Sequence, residues 1–166
     1  SSNVAATGLP SAFVNVQIPT LPLVQGITGE VIVTPQNGVT LDGILVDKPL
    51  NFFPIGDGRM VALQGIHALL DPGIYPLRIN ATFPDGTKHS FEQMLLVASG
   101  NYAKETLAVP SEFIDPVVTD PEDKQVLSMV SPVTAEKLWN GVFGLPVAQP
   151  FCIKDWFGIR RSFNGG

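Results

Sequence analysis

The sequence predicts an immunoglobulin-like β-sandwich followed by a short, partly helical connector and the first strand of a further domain. Three observations lead there. Gly (16) and Pro (15) make up nearly a fifth of the 166 residues, which breaks up long helices and demands frequent turns. Residues 12–109 alternate apolar and polar side chains with the period of a strand and carry almost no helical periodicity. Turn signals recur at roughly ten-residue spacing, the pattern of a sandwich of about seven or eight short strands.

The elements follow in order. Residues 1–11 are polar and small, and read as a flexible N-terminus. Ala12–Ile18 sets Phe13, Asn15 and Gln17 against Val14, Val16 and Ile18. Gly29–Thr34 carries Val31-Ile32-Val33. Val39–Leu45 reads as interrupted by a turn at Asp42-Gly43, and Leu50–Pro54 carries Phe52-Phe53. Gly56-Asp57-Gly58 is a strong turn leading into Arg59–Gly65. Asp71-Pro72-Gly73 opens Ile74–Phe83, which places Tyr75, Leu77 and Ile79 on one face. Pro84-Asp85-Gly86 closes a hairpin into Thr87–Val97. The Cys…Trp…Cys pattern of antibody domains is absent, so the immunoglobulin-like label is architectural.

Composition shifts at Pro110. Ser111–Asp123 holds five acidic residues together with Pro116 and Pro121. Thr119 or Asp120 is placed to cap a helix with Pro121 just inside it, and Val126, Leu127 and Val130 continue at helical spacing. Pro132 ends that helix or restarts it. Residues 110–145 are therefore a connector. Residues 146–166 read as the start of another domain, with Phe151–Ile153 as a strand and five large apolar side chains at Phe151, Ile153, Trp156, Phe157 and Ile159. Cut off from the rest of such a domain, that strand is expected to lack a native partner.

Charge and composition exclude several classes. The net charge of −5 argues against a general nucleic-acid binder. Apolar runs of only a few residues exclude a membrane-spanning helix. The single cysteine, Cys152, offers no internal disulfide and no multi-thiolate metal site. The chain opens at Ser1-Ser2-Asn3 without a start methionine and stops at Asn164-Gly165-Gly166, a turn sequence that ordinarily leads into another strand. Both ends read as cuts.

Few constellations carry chemistry. His67 and Asp71 have H-x-x-x-D spacing, but Asp71 opens a β-turn, and a zinc site needs at least a third protein ligand. His89, the other histidine, lies across a hairpin. No serine sits in a G-x-S-x-G elbow, and no phosphate-binding glycine loop occurs. Lys154 near Cys152 favours a lower thiol pKa, yet a buried, inert thiol fits the stretch better. Asn80-Ala81-Thr82 is a glycosylation sequon, of consequence only in a eukaryotic secretory host. Lys154, Arg160 and Arg161 make the end of the chain basic, which reads as a solvated face.

Three segments together carry a resemblance. Asp57–Leu63 runs on to Pro72–Leu77. Leu138-Trp139-Asn140-Gly141-Val142-Phe143 precedes Pro146-Val147. The end reads Phe157-Gly158-Ile159-Arg160-Arg161-Ser162-Phe163-Asn164-Gly165. From about residue 12 onward this order resembles the region upstream of the catalytic domain in secreted bacterial zinc metallopeptidases of the lysostaphin/LytM type. There a β-domain and helical connector precede W-x-G-x-F-x-x-P-V and then an F-G-x-R-R-x-(Y/F)-N-G turn. The matching positions are Trp139, Gly141, Phe143, Phe157, Gly158, Arg160, Arg161 and Asn164, all expected to be structural. Lys154-Asp155 departs from the Thr-Ser common before the F-G.

The resemblance implies a parent that cleaves peptide cross-links of peptidoglycan outside the cytoplasm, with zinc activating water and polarising the scissile carbonyl. The zinc ligands would follow Gly166, so this chain alone is expected to hold no cofactor and to be inactive, ending as it does at the first strand of a truncated catalytic domain. His67 and Asp71 copy the ligand spacing in the wrong segment, and no ligand role is carried over to them. The expected role is a non-catalytic module that positions or shields its own downstream peptidase domain, with peptidoglycan or an envelope protein as a further partner. The alternatives are an intact enzyme whose remainder lies beyond this sequence, and a free-standing immunoglobulin-like envelope or adhesion domain.

Overall fold

The computed structural model describes residues 8–134, 136–144, 147 and 155–165. The chain divides into two compact units, Ser1–Gly100 and Asn101–Gly166.

Nine strands build the first unit: β1 (Phe13–Gln17), β2 (Leu23–Val24), β3 (Thr28–Pro35), β4 (Thr40–Leu45), β5 (Lys48–Pro49), β6 (Phe53–Gly56), β7 (Arg59–Gly65), β8 (Gly73–Thr82) and β9 (Lys88–Ala98). One sheet runs β1-β3-β7-β6 and the other β2-β9-β8-β4-β5. That is the strand order of an immunoglobulin-type sandwich, with the first strand shared between the sheets. The expected fold class is what the molecule shows.

Alternation supplies the core. Val31 and Val33 from β3, Ala62 from β7, Leu77, Ile79 and Ala81 from β8, and Leu95 and Val97 from β9 form one buried cluster. Each fully buried aliphatic side chain contributes about 1.5–3 kcal/mol relative to exposure. The two thiols that would cross an antibody core are absent, and aliphatic side chains fill the space.

A second immunoglobulin feature was not read from the sequence. Tyr75, near the start of β8, donates its hydroxyl to the carbonyl of Asp71 at 2.8 Å. A tyrosine bonded back to the backbone a few residues upstream, at this corner of the sandwich, is the tyrosine corner of these folds. The signal was present in Asp71-Pro72-Gly73-Ile74-Tyr75.

Four expectations need correction. Asp42-Gly43 is not a turn, because β4 runs straight through it. Gly43 is there for close approach: a Cβ would lie 2.6 Å from the carbonyl oxygen of Arg78 on the neighbouring strand. The strand placed at Leu50–Pro54 begins only at Phe53, while Leu50 turns into the core. In β1 the simple alternation fails. Phe13 and Val16 are both buried and Val14 is exposed, because the register with β3 shifts between Phe13 and Asn15. Finally, Lys104–Leu107, assigned above to the 12–109 sandwich, belongs to neither of its sheets.

The second unit contains β10 (Lys104–Leu107), a 3₁₀ turn at Ser111–Phe113, the helix α1 (Pro116–Val130) and β11 (Arg160–Phe163). β10 and β11 pair in parallel, Lys104 opposite Arg160 through Leu107 opposite Phe163. Parallel strands need a long crossover, and α1 lies within it. The helix starts earlier than Thr119 or Asp120. Asp115 is the cap, its side chain accepting the Val117 N–H at 2.9 Å, and Pro116 takes the first helical turn. Pro121 consequently falls inside the helix. No residue of α1 is buried. The expectation that the last strand lacks a partner is overturned by β10. The strand placed at Phe151–Ile153, with Cys152 and Lys154, lies outside the described residues.

Candidate functional site

Two surfaces merit description, one in each unit. In the first unit, antiparallel pairing lines up the outward-facing residues of β8 and β9 on the open face of the five-stranded sheet. Ile74 stands opposite Leu96, and Pro76 opposite Met94. Ile44 of β4 joins them from beside Arg78. Ile74, Met94 and Leu96 are each more than half exposed, at 67%, 60% and 53%.

Farther along the same face the chemistry turns polar. The Nε of Arg78 donates to Glu92 at 2.6 Å. Asn80 donates to the Asp42 carboxylate at 2.7 Å and accepts from the Ser90 hydroxyl at 2.8 Å. Both ends of the Asn80 amide are thus engaged in mid-strand, the opposite of the accessible loop a glycosylation sequon needs. The face presents an apolar stripe beside a hydrogen-bonded polar row, a surface able to bind but without groups arranged for proton transfer.

In the second unit, the F-G-x-R-R-x-F-N-G residues gather around β10. Gly158 has φ +90°, and a Cβ at that position would fall inside the Tyr102 ring. That ring meets Phe157 edge-on at 6.0 Å. Arg161 donates its Nε to Glu105 and its Nη2 to Asp155. Glu105, with Asp155 second, pushes the guanidinium pKa further above its ordinary value. Asn164 Nδ2 donates to the Val109 carbonyl, and its Oδ1 accepts the Val109 N–H, both at 3.0 Å. The hydroxyls of Thr106 and Ser162 lie 3.0 Å apart.

The basic stretch read as a solvated face is therefore partly internal wiring, because Arg161 is held by two carboxylates. Arg160 stands opposite Lys104, and both line a shallow cavity of about 300 Å³ with Thr106 and Ser162. The other motif residues form their own grouping: Trp139 lies 6.0 Å from Phe143, with the Lys137 ammonium 5.5 Å above the indole. Gly141, between them, has φ +85°.

The histidines do not make a metal centre. His67 Nδ1 accepts the Leu69 N–H at 3.1 Å, a local turn contact, while Asp71 receives Tyr75 through its backbone. His89 packs edge-on against Phe83 and lies 3.4 Å from the Ser11 hydroxyl. Among the described residues, no three His, Cys, Asp or Glu side chains group as a metal site. The residues present therefore do not fit the zinc that the resemblance implies for the parent. Among the described residues, no helix is long and apolar enough to cross a membrane.

No protein-family model and no curated protein matches the chain. Among solved structures, the chain is similar to SGBP-B of the Bacteroides ovatus mixed-linkage glucan utilization locus, solved in complex with a mixed-linkage heptasaccharide. The identity is 17% and the TM-score 0.30, over 57% of this chain and 26% of that one. The chain spans about a quarter of that structure's length, and a likeness of this size assigns no ligand here.

Proposed function

We propose that this chain is a non-catalytic module of an extracytoplasmic, zinc-dependent cell-wall endopeptidase, with the peptidase domain following Gly166. The observation that carries the reading is the ordered series of a β-sandwich, a helical connector, Trp139-x-Gly141-x-Phe143 and Phe157-Gly158-x-Arg160-Arg161-x-Phe163-Asn164. The packing of Gly158 under Tyr102 and the engagement of Arg161 and Asn164 with 105–109 support a structural role for the motif. Zinc chemistry belongs to the proposed downstream domain, because the described residues offer no ligand set.

The deciding experiment is to read the coding sequence past Gly166. An H-x-x-x-D within about ten residues, and an H-x-H later, is the donor set a catalytic zinc requires. A stop codon, or a sequence without these ligands, removes the reading.

A second reading rests on the open face of the five-stranded sheet. Ile74, Met94 and Leu96 beside the Asp42–Asn80–Ser90 row fit an envelope-binding module with no enzyme attached. Co-sedimentation with peptidoglycan sacculi separates the two. Binding lost on Met94→Lys, in a chain with no peptidase following it, would favour this second reading.

A further inference from the structure

We infer that the Phe157–Asn164 segment is a clip that shortens the tether between the sandwich and everything that follows β11. In sequence, β11 begins about 60 residues after the end of β9. In the fold, the chain leaves β9 at Ala98 and is captured by β11 at Lys104, so only residues 99–103 separate the two. The remaining residues, 108–159, are an excursion that leaves β10 and returns beside it.

The capture is made from several kinds of contact. Four residues of β10 pair with four of β11. Beyond the two ends of that ladder, Arg160 N–H donates to the Ala103 carbonyl at 2.8 Å and Asn164 N–H to the Leu107 carbonyl at 2.9 Å. Arg161 reaches Glu105, and the Asn164 amide closes on both backbone groups of Val109. Tyr102 fills the space that any side chain at 158 would need. Each of these contacts joins 102–109 to 157–164, and none requires the intervening excursion.

The effect on reach is large. A flexible chain of five residues has an r.m.s. span of about 12 Å, and one of 60 residues about 43 Å. Effective concentration falls roughly as the −3/2 power of tether length, so the clip raises that of any downstream segment around the sandwich about 40-fold. The clip acts in the same way whatever chemistry follows, and so stands or falls separately from the proposed function. Arg161 and Asn164 are positioning residues in this scheme.

The test uses the full chain with Cys152→Ser, spin labels at Asp85→Cys and on a cysteine added after Gly166, and pulsed-EPR distance distributions. A flexible Gly/Ser insertion of about 20 residues after Ser131 is expected to leave the distribution unchanged. The same insertion after Asn101 should broaden it and lengthen the r.m.s. tether span from about 12 to about 28 Å. Glu105→Ala combined with Asn164→Ala should broaden it without any insertion and speed amide exchange at Val109 about tenfold or more. The clip is overturned if the insertion after Ser131 lengthens the distance as much as the one after Asn101. It is also overturned if the double variant frees the Val109 amide yet leaves the distribution unchanged.

Discussion

Gln25 holds the backbone of Gly100 across 75 residues of sequence: its Oε1 accepts the Gly100 N–H at 2.9 Å, while its Nε2 donates to the carbonyl of Leu70. Gln25 is 1% exposed, the one polar side chain buried with the core among the described residues. It ties together the entry to β3, the loop before β8 and the exit from β9.

Gln25→Leu keeps the volume and removes both bonds. Each buried backbone group left without a partner costs about 1–3 kcal/mol. The sandwich should therefore melt roughly 10 °C lower, at about 4–8 °C per kcal/mol for a domain of this size. Thermal unfolding by circular dichroism reads this directly. An unchanged midpoint would mean that the bonds to Leu70 and Gly100 contribute nothing.

Gly43→Ala should destabilise by about 1–3 kcal/mol, because the new methyl meets the Arg78 carbonyl at 2.6 Å in the middle of a sheet. Gly65→Ala is the control, since nothing lies within 4 Å of a Cβ there. Urea midpoints of the two variants should differ clearly. Equal midpoints would show that β4 can move away from β8.

The carboxylate of Asp85 accepts the Thr87 N–H at 2.8 Å in the β8–β9 turn. That bond, with the Thr87 side chain second, lowers the Asp85 pKa below its ordinary 3.8. A depressed folded-state pKa contributes stability that is fully present above the ordinary value and is lost as pH falls through the lowered one. The Thr87 amide resonance should accordingly titrate below pH 3.8 and stay flat above it. In Asp85→Asn that low-pH step should vanish.

Limited trypsin digestion should cut first at Lys124, the single basic residue between Ser111 and Ser131. It lies in α1, no residue of which is buried. A helix of about 15 residues without tertiary packing is marginal in water and opens readily. The sandwich should survive as a fragment. Earlier cleavage at Lys88 or Arg78 would mean that the β8–β9 hairpin opens before the helix does.

Legibility followed the range of the forces. Arg59–Gly65 was readable to the residue, because alternation ran between a Gly-Asp-Gly turn and a glycine. The core side chains Leu77 and Ile79 followed from the same period of two. Gly43 misled because close approach to Arg78 is a fact about another strand, and a strand glycine beside aspartate resembles a turn. β2 has two residues, too few to show any period. The partnership of β10 and β11 spans 56 positions, and nothing local in Lys104–Leu107 announces it. Arg161 was read as solvated because its carboxylates, Glu105 and Asp155, come together only in the folded unit. The cap was misplaced because two prolines competed for the first helical turn, and Asp115 beside Pro116 won.

The short parallel pairing of β2 with β9 has a mechanical consequence. Leu23 lies opposite Val97 and Val24 opposite Ala98, and Gln25 N–H adds a bond to the Ala98 carbonyl. These strands lie next to the points where the chain enters and leaves the sandwich, and they run in the same direction. Pulling on the two ends draws them past each other lengthwise. The cross-strand bonds are then loaded in shear and must yield together, whereas an antiparallel pair pulled from its open end would peel apart one bond at a time. This geometry makes the sandwich stiffest along the line joining its own entry and exit.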